Sequence, residues 1–269
     1  LLVYDCVDEY AEQAGADRRR RALVARCERE LVARADLVFV TATPLLERHR
    51  ALNPSTFLVR NVGEYAHFAR AAEEGEVANE LRSLRRPVVG FVGNFLAAKV
   101  DLDLLAAAAA ARPRWSFVLV GPASEGEERV RALAARPNVF WLGARPYAEL
   151  PRYVAGFDVA VIPYLANEYT RSCFPLKLFE YLAAGKPVVA TGLPELRGMG
   201  PDVAVADGAA GLVAAAEAAL RLRSPADAAR RQALAAASTW ETRTARLAEL
   251  VEAALERREA GEATTGART

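Results

Sequence analysis

At 269 residues, with 52% hydrophobic and 26% charged residues, the chain is long enough for one large core or two modest ones, and two is the expectation for an alternating α/β pattern. A net charge of +1 argues against a nucleic-acid binder. No apolar run approaches the ~20 residues that span a bilayer, and no charged-then-apolar leader opens the chain, so a cytoplasmic protein is expected.

Leu1–Tyr4 reads as a buried strand that ends at Asp5. Because the chain opens on a strand and on leucine rather than methionine, the expectation is that it begins mid-domain and lacks an N-terminal portion. Leu23, Val24, Cys27, Leu31 and Val32 recur at helical spacing within Arg18–Arg34, and that helix feeds a strand over Asp36–Thr41. Pro44–Leu52 reads as a helix and Thr56–Arg60 as another strand. Residues 61–86 mix charge with small side chains and read as a connection between domains, with a short helix over Val77–Leu84.

From there a β/α rhythm becomes regular. Strands are predicted at Val88–Gly93, Ser116–Gly121, Val139–Gly143, Val159–Tyr164, Pro187–Thr191 and Val203–Ala206. Helices fill the gaps at Leu102–Ala111, Glu125–Ala135, Ala148–Ala155, Pro175–Ala184 and Gly211–Arg221. Apolar strands that alternate with helices predict an α/β fold with a Rossmann-like parallel sheet covered on both faces. Two further helices, Ala226–Ala237 and Glu241–Arg258, are separated at Ser238–Thr239–Trp240, where a hydroxyl can cap the second, and Leu247, Leu250, Val251 and Leu255 form its apolar stripe. Residues 261–269 are small and polar and are expected to be disordered. The division predicted is 1–66, 67–237 and a C-terminal helix with tail over 238–269.

The segment FPLKLFEYLAAGKPVVAT, residues 174–191, is the densest in information. Pro175 suits a first helical turn, while Gly185 and Pro187 end the helix before a buried strand. Leu176, Leu178, Phe179 and Leu182 face a core; Lys177 and Glu180, three apart, share the other face. They stand near a helix N-terminus that suits an anion, or are simply paired with each other. The chain holds only 3 lysines against 32 arginines, and the lysines are Lys99, Lys177 and Lys186. A compact ammonium differs from a planar guanidinium at a tight phosphate site, so their positions are informative. Lys99 closes the turn GFVGNFLAAK, which follows a strand and opens a helix. Phe95 and Leu96 fall where a dinucleotide fingerprint needs glycine, yet Gly93 still permits close backbone approach, with Asn94 and Lys99 in reach of a diphosphate. The other reading is a tight turn with a solvated lysine.

Together these segments resemble nucleotide-sugar glycosyltransferases of the GT-B type, with two Rossmann-like domains and the donor held by the C-terminal one. The resemblance is to retaining members of glycosyltransferase family 4, in a subgroup often found in bacterial cell-envelope polysaccharide synthesis, and it covers nearly the whole chain. Many such members bind the donor diphosphate with a G-R-L-x-x-x-K turn; here it stands as Gly93-Asn94-Phe95-Leu96-Ala97-Ala98-Lys99, with lysine matched and arginine replaced. They also carry two glutamates eight apart; Glu180 matches the ribose-binding second, and the first falls on Ser172. The subgroup starts its helix with Pro-x-Lys, as Pro175-Leu176-Lys177 does. By the same resemblance Arg145 approaches the base, the other reading being a structural strand end, Tyr164 ends the strand leading into the donor cleft, and Asn167 approaches the sugar. Asn61, Glu64 and Phe68 match the junction between domains in type.

What the resemblance implies is a hexosyltransferase that moves a sugar from a nucleoside diphosphate sugar to a saccharide or lipid-linked acceptor, without cofactor or metal and with retention of configuration. Lys99, Lys177 and Glu180 would carry the chemistry. Peripheral membrane association at the inner face is expected through the absent N-terminal portion. Asp5, Asp8 and Glu9 offer carboxylates to an acceptor-facing loop, or else cap a helix. Cys6, Cys27 and Cys173 are odd in number and lack metal-ligand spacing, so reduced thiols are expected, and Cys173 has no nearby histidine to make it a nucleophile. His49, on a surface-like helix, and His67, in the junction, read as structural. Two rivals remain open: a nucleotide-binding module without transferase activity, and a nucleotide-sugar epimerase on the same scaffold.

Overall fold

The computed structural model describes residues 1–13, 17–73 and 75–266, which form two compact units. The first comprises Leu1–Val62, Ser172–Phe174 and the C-terminal segment from Trp240; the second comprises Gly63–Arg171 and Pro175–Thr239.

In the first unit, β1 (Val3–Cys6) leads through α1 (Tyr10–Gln13) and α2 (Arg18–Arg34) to β2 (Leu37–Val40), and α3 (Thr43–Arg50) leads to β3 (Thr56–Leu58). The three strands pair in parallel with β2 in the middle. Asp17 caps α2, its carboxylate accepting from the Arg19 N–H at 2.8 Å. All of β2 is buried because it has a core on each face. Val38 and Val40 pack with Val32 and Leu45 on one side, while Leu37 and Phe39 pack with Val59 and two residues of the C-terminal segment, Leu250 and Ala254, on the other. His49, expected at a surface, is 1% exposed, because α3 turns Leu45 and His49 inward together. The short segment Ser172–Phe174 is held by Asn61, whose Nδ2 donates to the Phe174 carbonyl at 3.0 Å.

The second unit opens with α4 (Tyr65–Glu73) and α5 (Asn79–Arg82). The connection read at 61–86 therefore holds a nine-residue helix that the charge-rich composition concealed; it buries Phe68, Ala69 and Ala71, a helical rather than a loop spacing. Then come β4 (Val88–Val92), α6 (Leu102–Ala111), β5 (Ser116–Val120), α7 (Glu127–Ala134) and β6 (Val139–Trp141). A single 3₁₀ turn at Tyr147–Glu149 runs into α8 (Leu150–Ala155), followed by β7 (Val159–Pro163), α9 (Glu168–Arg171), α10 (Lys177–Ala183), β8 (Val188–Thr191), β9 (Val203–Ala206), α11 (Gly208–Ala219) and α12 (Pro225–Ala236). The six strands are parallel, as the alternation of apolar runs and helices predicted, and lie in the order β6-β5-β4-β7-β8-β9. Strand order reverses between β4 and β7, which opens a crevice at their carboxyl ends.

Helix α10 begins two residues later than predicted. Leu178 N–H bonds the Pro175 carbonyl and Phe179 N–H that of Leu176, so Pro175 and Leu176 make a tight i→i+3 lead-in rather than the first regular turn. Ser224 and Asp227 form a capping box at the start of α12. The last helix, α13 (Trp240–Gly266), continues through 261–266, where disorder was expected, and residues 267–269 of that tail lie outside the described residues. Among the described residues no helix is long and apolar enough to cross a membrane.

Candidate functional site

Three glycines shape the carboxyl edge of the second unit's sheet. Gly93, Gly121 and Gly143 follow β4, β5 and β6, and their backbones touch: Gly93 N–H donates to the Val120 carbonyl at 2.9 Å and Gly121 N–H to the Gly143 carbonyl at 2.8 Å. Trp141, at the end of β6, closes the group by donating its indole N–H to the Gly121 carbonyl at 3.0 Å. The turn after Gly93 is fixed by Asn94, whose Oδ1 accepts from the Ser124 N–H at 3.2 Å and hydroxyl at 2.9 Å. The amide nitrogen of this exposed side chain is left to donate elsewhere.

At the switch point the turn ending in Lys99 is tied to the loop after β7. Leu165 N–H donates to the Lys99 carbonyl at 2.9 Å, and Asn167 Nδ2 donates to the Ala98 carbonyl at 2.9 Å. The Lys99 ammonium lies over the rings of Tyr164 and Tyr169, at 4.9 and 5.4 Å from their centroids. The structure thus brings Lys99, Tyr164 and Asn167 together from two segments of the sequence, with Gly93 and Asn94 at the start of the same turn as Lys99.

Helix α10 leads into β8 from the amino edge, so its first turn lies at the carboxyl edge of the sheet. Tyr181 anchors it there: the phenol accepts from Val92 N–H at 2.8 Å, fully buried against the end of β4. One turn earlier, Lys177 Nζ donates to Glu180 Oε2 at 3.1 Å, with the Lys177 side chain 23% and that of Glu180 9% exposed. These two are therefore paired with each other, and the ammonium keeps two more hydrogens to donate. Pro175 is buried and Leu176 is exposed beside them. Ser172 is buried and belongs to the first unit.

The sequence reading missed a group around Glu180. Gly63 lies so close to α10 that a Cβ there would stand 2.8 Å from the Phe179 Cβ. The next residue, Glu64, accepts the Tyr147 hydroxyl at 2.8 Å, and the Tyr147 ring stacks on His67 at 4.4 Å. Burial, the hydrogen bond to Glu64 and the charges of Glu180 and Glu64 push the Tyr147 phenol upward. No motif marks Tyr147, since it owes its place to the loop after β6 folding back onto α4. His67 Nε2 bonds the Tyr147 carbonyl at 2.9 Å.

Other expected site residues have different company. Arg145 Nε donates to the Tyr153 hydroxyl at 2.7 Å and its Nη2 to Glu80 at 3.3 Å, a structural ion pair at the end of the strand. Asp5, Asp8 and Glu9 in the first unit are not a paired carboxylate set. Asp5 is bonded to Arg243 at 3.2 Å, the Asp8 carbonyl accepts the Tyr10 N–H, and Glu9 is buried against Arg48. The geometry gives the Asp5 and Glu9 side chains separate arginine partners because the loop after β1 turns them in different directions.

Lys186, the third lysine, stands just before β8 at the opposite edge of the sheet. It lines a cavity of ≈ 320 Å³ with Asp158, Arg223 and Arg231, and its ammonium donates to the Ala155 carbonyl at 2.8 Å. Burial first, with the Arg223, Arg86 and Arg231 charges adding to it and Asp158 opposing, brings Lys186 down from 10.5 to about 8. Between pH 8 and 10.5 the unfolded chain then holds a proton that the folded chain has lost, so stability rises with pH in that window. Urea unfolding across it is expected to show a gain of up to about 3 kcal/mol in the wild type that is absent from Lys186→Met. Equal slopes in the two proteins would remove the burial penalty.

A family model described as Glycosyl transferases group 1 matches residues 86–224, just over half of the chain. Over 203 residues the chain is 33% identical to a protein of Bacillus subtilis (strain 168) named as a teichuronic acid biosynthesis glycosyltransferase, TuaH, an alignment covering 72% of this chain and 51% of that protein. The chain thus spans about half the length of this curated relative. Among solved structures it is similar to Anabaena HepE, determined with UDP and glucose, at a TM-score of 0.68 and 20% identity, over 93% of this chain and 71% of that one. Sucrose-phosphate synthase from Thermosynechococcus elongatus matches at a TM-score of 0.68 and 22% identity, over 95% of this chain and 68% of that one. The fold is that of the GT-B glycosyltransferases.

Proposed function

The chain belongs to the glycosyl transferases group 1 family, and from that premise we propose that it moves a sugar from a nucleoside diphosphate sugar to an acceptor hydroxyl, in cell-envelope or exopolysaccharide synthesis. The observation that carries the reading is the double tie between the Lys99 turn and the loop after β7 at the switch point. It holds a cation in place at the edge of the sheet where open α/β sheets bind their ligands.

Cleavage of the anomeric bond leaves negative charge on the departing diphosphate. Groups fixed in advance and aimed at that charge lower the barrier more than they stabilise the bound substrate. Lys99, Lys177 and the Asn94 amide would supply this field, with Gly93 allowing the phosphates close to the backbone. Glu180 would accept the ribose hydroxyls, which asks Lys177 to turn from its present partner toward the phosphate. Tyr164 and Asn167 line the same crevice, and Arg145, in its ion pair, stands at the end of the strand on the base side. Metal-independent chemistry with retention, a saccharide or lipid-linked acceptor, and work at the inner membrane face complete the reading. Teichuronic acid synthesis in the name of the Bacillus relative supports the cell-envelope role.

Calorimetric titration with UDP, GDP and their sugars tests it. The wild type is expected to bind one nucleotide series, Lys99→Ala to weaken the diphosphate by about tenfold or more with little change for the nucleoside, and Glu180→Ala to weaken both. Absence of binding to the wild type sinks the donor-site reading, and unchanged affinity in Glu180→Ala removes the ribose assignment. Binding without transfer or hydrolysis of any donor sugar would favour a nucleotide-binding module.

A further inference from the structure

The first unit contains a buried convergence of electron-rich atoms with no part in the donor reading. Cys6 ends β1, Glu28 is in the middle of α2 and His49 is on α3, at separations of 22 and 43 residues from Cys6. The Cys6 sulfur lies 3.4 Å from Glu28 Oε1, 3.5 Å from the Asp8 carbonyl oxygen and 3.6 Å from His49 Nε2. His49 Nε2 and Glu28 Oε1 are 3.7 Å apart. Cys6, Glu28 and His49 are all buried, at 0%, 7% and 1% exposure.

Two properties of the cluster define what belongs among these atoms. The first is geometric. A tetrahedral zinc ion, at about 2.3 Å from sulfur, 2.0–2.1 Å from nitrogen and 2.0–2.2 Å from oxygen, sets its ligand atoms roughly 3.3–3.6 Å from one another. Three of the four measured separations lie at that spacing, and the fourth, His49 Nε2 to Glu28 Oε1 at 3.7 Å, is 0.1 Å beyond it. A thiol, by contrast, has one hydrogen for three polar neighbours: His49 Nε2, which donates or accepts according to its tautomer, Glu28 Oε1, which also accepts the Tyr4 hydroxyl at 3.1 Å, and the Asp8 carbonyl, which also accepts the Tyr10 N–H at 3.1 Å.

The second is charge. Two buried carboxylates, Glu9 and Glu28, face one guanidinium, Arg48, which bonds both. Among the described residues the ion pairs of these two carboxylates thus offer one guanidinium to two carboxyl groups, and a buried charge without its counter-charge is expensive. A divalent cation bound to the Cys6 thiolate, the thiol proton passing to solvent, adds a net single positive charge and restores neutrality.

We infer that Cys6, Glu28 and His49, with the Asp8 carbonyl as a fourth oxygen, form a site for a divalent transition metal of zinc type. Tyr4 and Arg48 would orient the Glu28 carboxylate from behind, as outer partners of metal ligands do. The metal would be structural, joining β1, α2 and α3. Sulfur, nitrogen and oxygen donors together favour zinc over magnesium or calcium, which prefer oxygen alone.

The test is cobalt substitution in the chelator-treated full chain. The expected result is one Co²⁺ per chain, with a thiolate-to-cobalt band in the near ultraviolet, intense tetrahedral bands in the visible and displacement by Zn²⁺. A Cys27→Ala/Cys173→Ala double variant, which leaves Cys6 as its one thiol, keeps the full spectrum. Cys6→Ala loses the near-ultraviolet band, and His49→Gln lowers Co²⁺ affinity at least about tenfold. A folded wild type with no thiolate band overturns the site, as does loss of the band in the double variant or its survival in Cys6→Ala. None of these readouts depends on nucleotide binding, so this site and the donor site stand or fall separately.

Discussion

Gly121→Ala is expected to destabilise the second unit by about 3 kcal/mol and to weaken nucleotide binding by about tenfold or more. Gly121 has φ +138°, where a side chain is strained, and a Cβ there would stand 1.9 Å from the Gly93 carbonyl oxygen and 2.8 Å from the Gly93 carbonyl carbon. Both obstacles are backbone atoms, so no rotamer change relieves the contact. The chain after β4 has to move, and it carries Asn94 and Lys99 with it. Gly143→Ala is the matched comparison: its φ is +69° with nothing within 4 Å of the added carbon, so it meets backbone strain alone, about 1–2 kcal/mol. Urea midpoints and nucleotide titrations of the two variants decide the matter. If Gly121→Ala proves no worse than Gly143→Ala, the close approach of the two loops is not what holds the site.

Asp202→Ala is expected to be the more damaging half of a buried pair, costing about 3–5 kcal/mol. Arg231 is 1% exposed, and its Nε donates to Asp202 Oδ1 at 2.8 Å while Nη1 donates to the Gly185 carbonyl at 3.1 Å and Nη2 to that of Leu222. Removing the carboxylate leaves a guanidinium buried among carbonyls without its directly bonded counter-charge. Arg230, 45% exposed, can rehydrate after the loss. The reciprocal Arg231→Met should cost less, because Asp202 keeps Arg230 at 2.6 and 2.8 Å and the methionine fills the space. Equal losses in the two variants, by thermal or urea unfolding, would contradict this account. The pair matters to the site because Gly185 ends the segment that presents Lys177 and Glu180, so the Asp202 variant should also weaken nucleotide binding.

The six-stranded sheet could be read from the chain because parallel strands buried on both faces are continuous apolar runs, and Val88–Val92, Ser116–Val120 and Val159–Pro163 are of that kind. Helix α4 escaped because its buried residues sit among charges and alanines in a stretch whose composition resembles a linker. The lysine turn and Pro175-Leu176-Lys177 were visible as local spacing. Arg145 was visible too, through the resemblance that sets it near a base, but its bond to Glu80, 65 residues away, was not. Glu64 and Tyr147, 83 residues apart, carry no joint signature in the sequence at all.

What the sequence by itself determined is local. Period, breakers and the scarcity of lysine settle strand and helix identity, the glycine turns and the cations near them, since these depend on neighbours a few residues apart. Tertiary structure decided which distant groups meet. It placed the Lys99 turn against Asn167, paired Lys177 with Glu180, sent Asp5 and Glu9 to different arginines and gathered Cys6, Glu28 and His49. Those choices rest on burial, since a group removed from water must find its partners wherever the packed sheet and helices leave them.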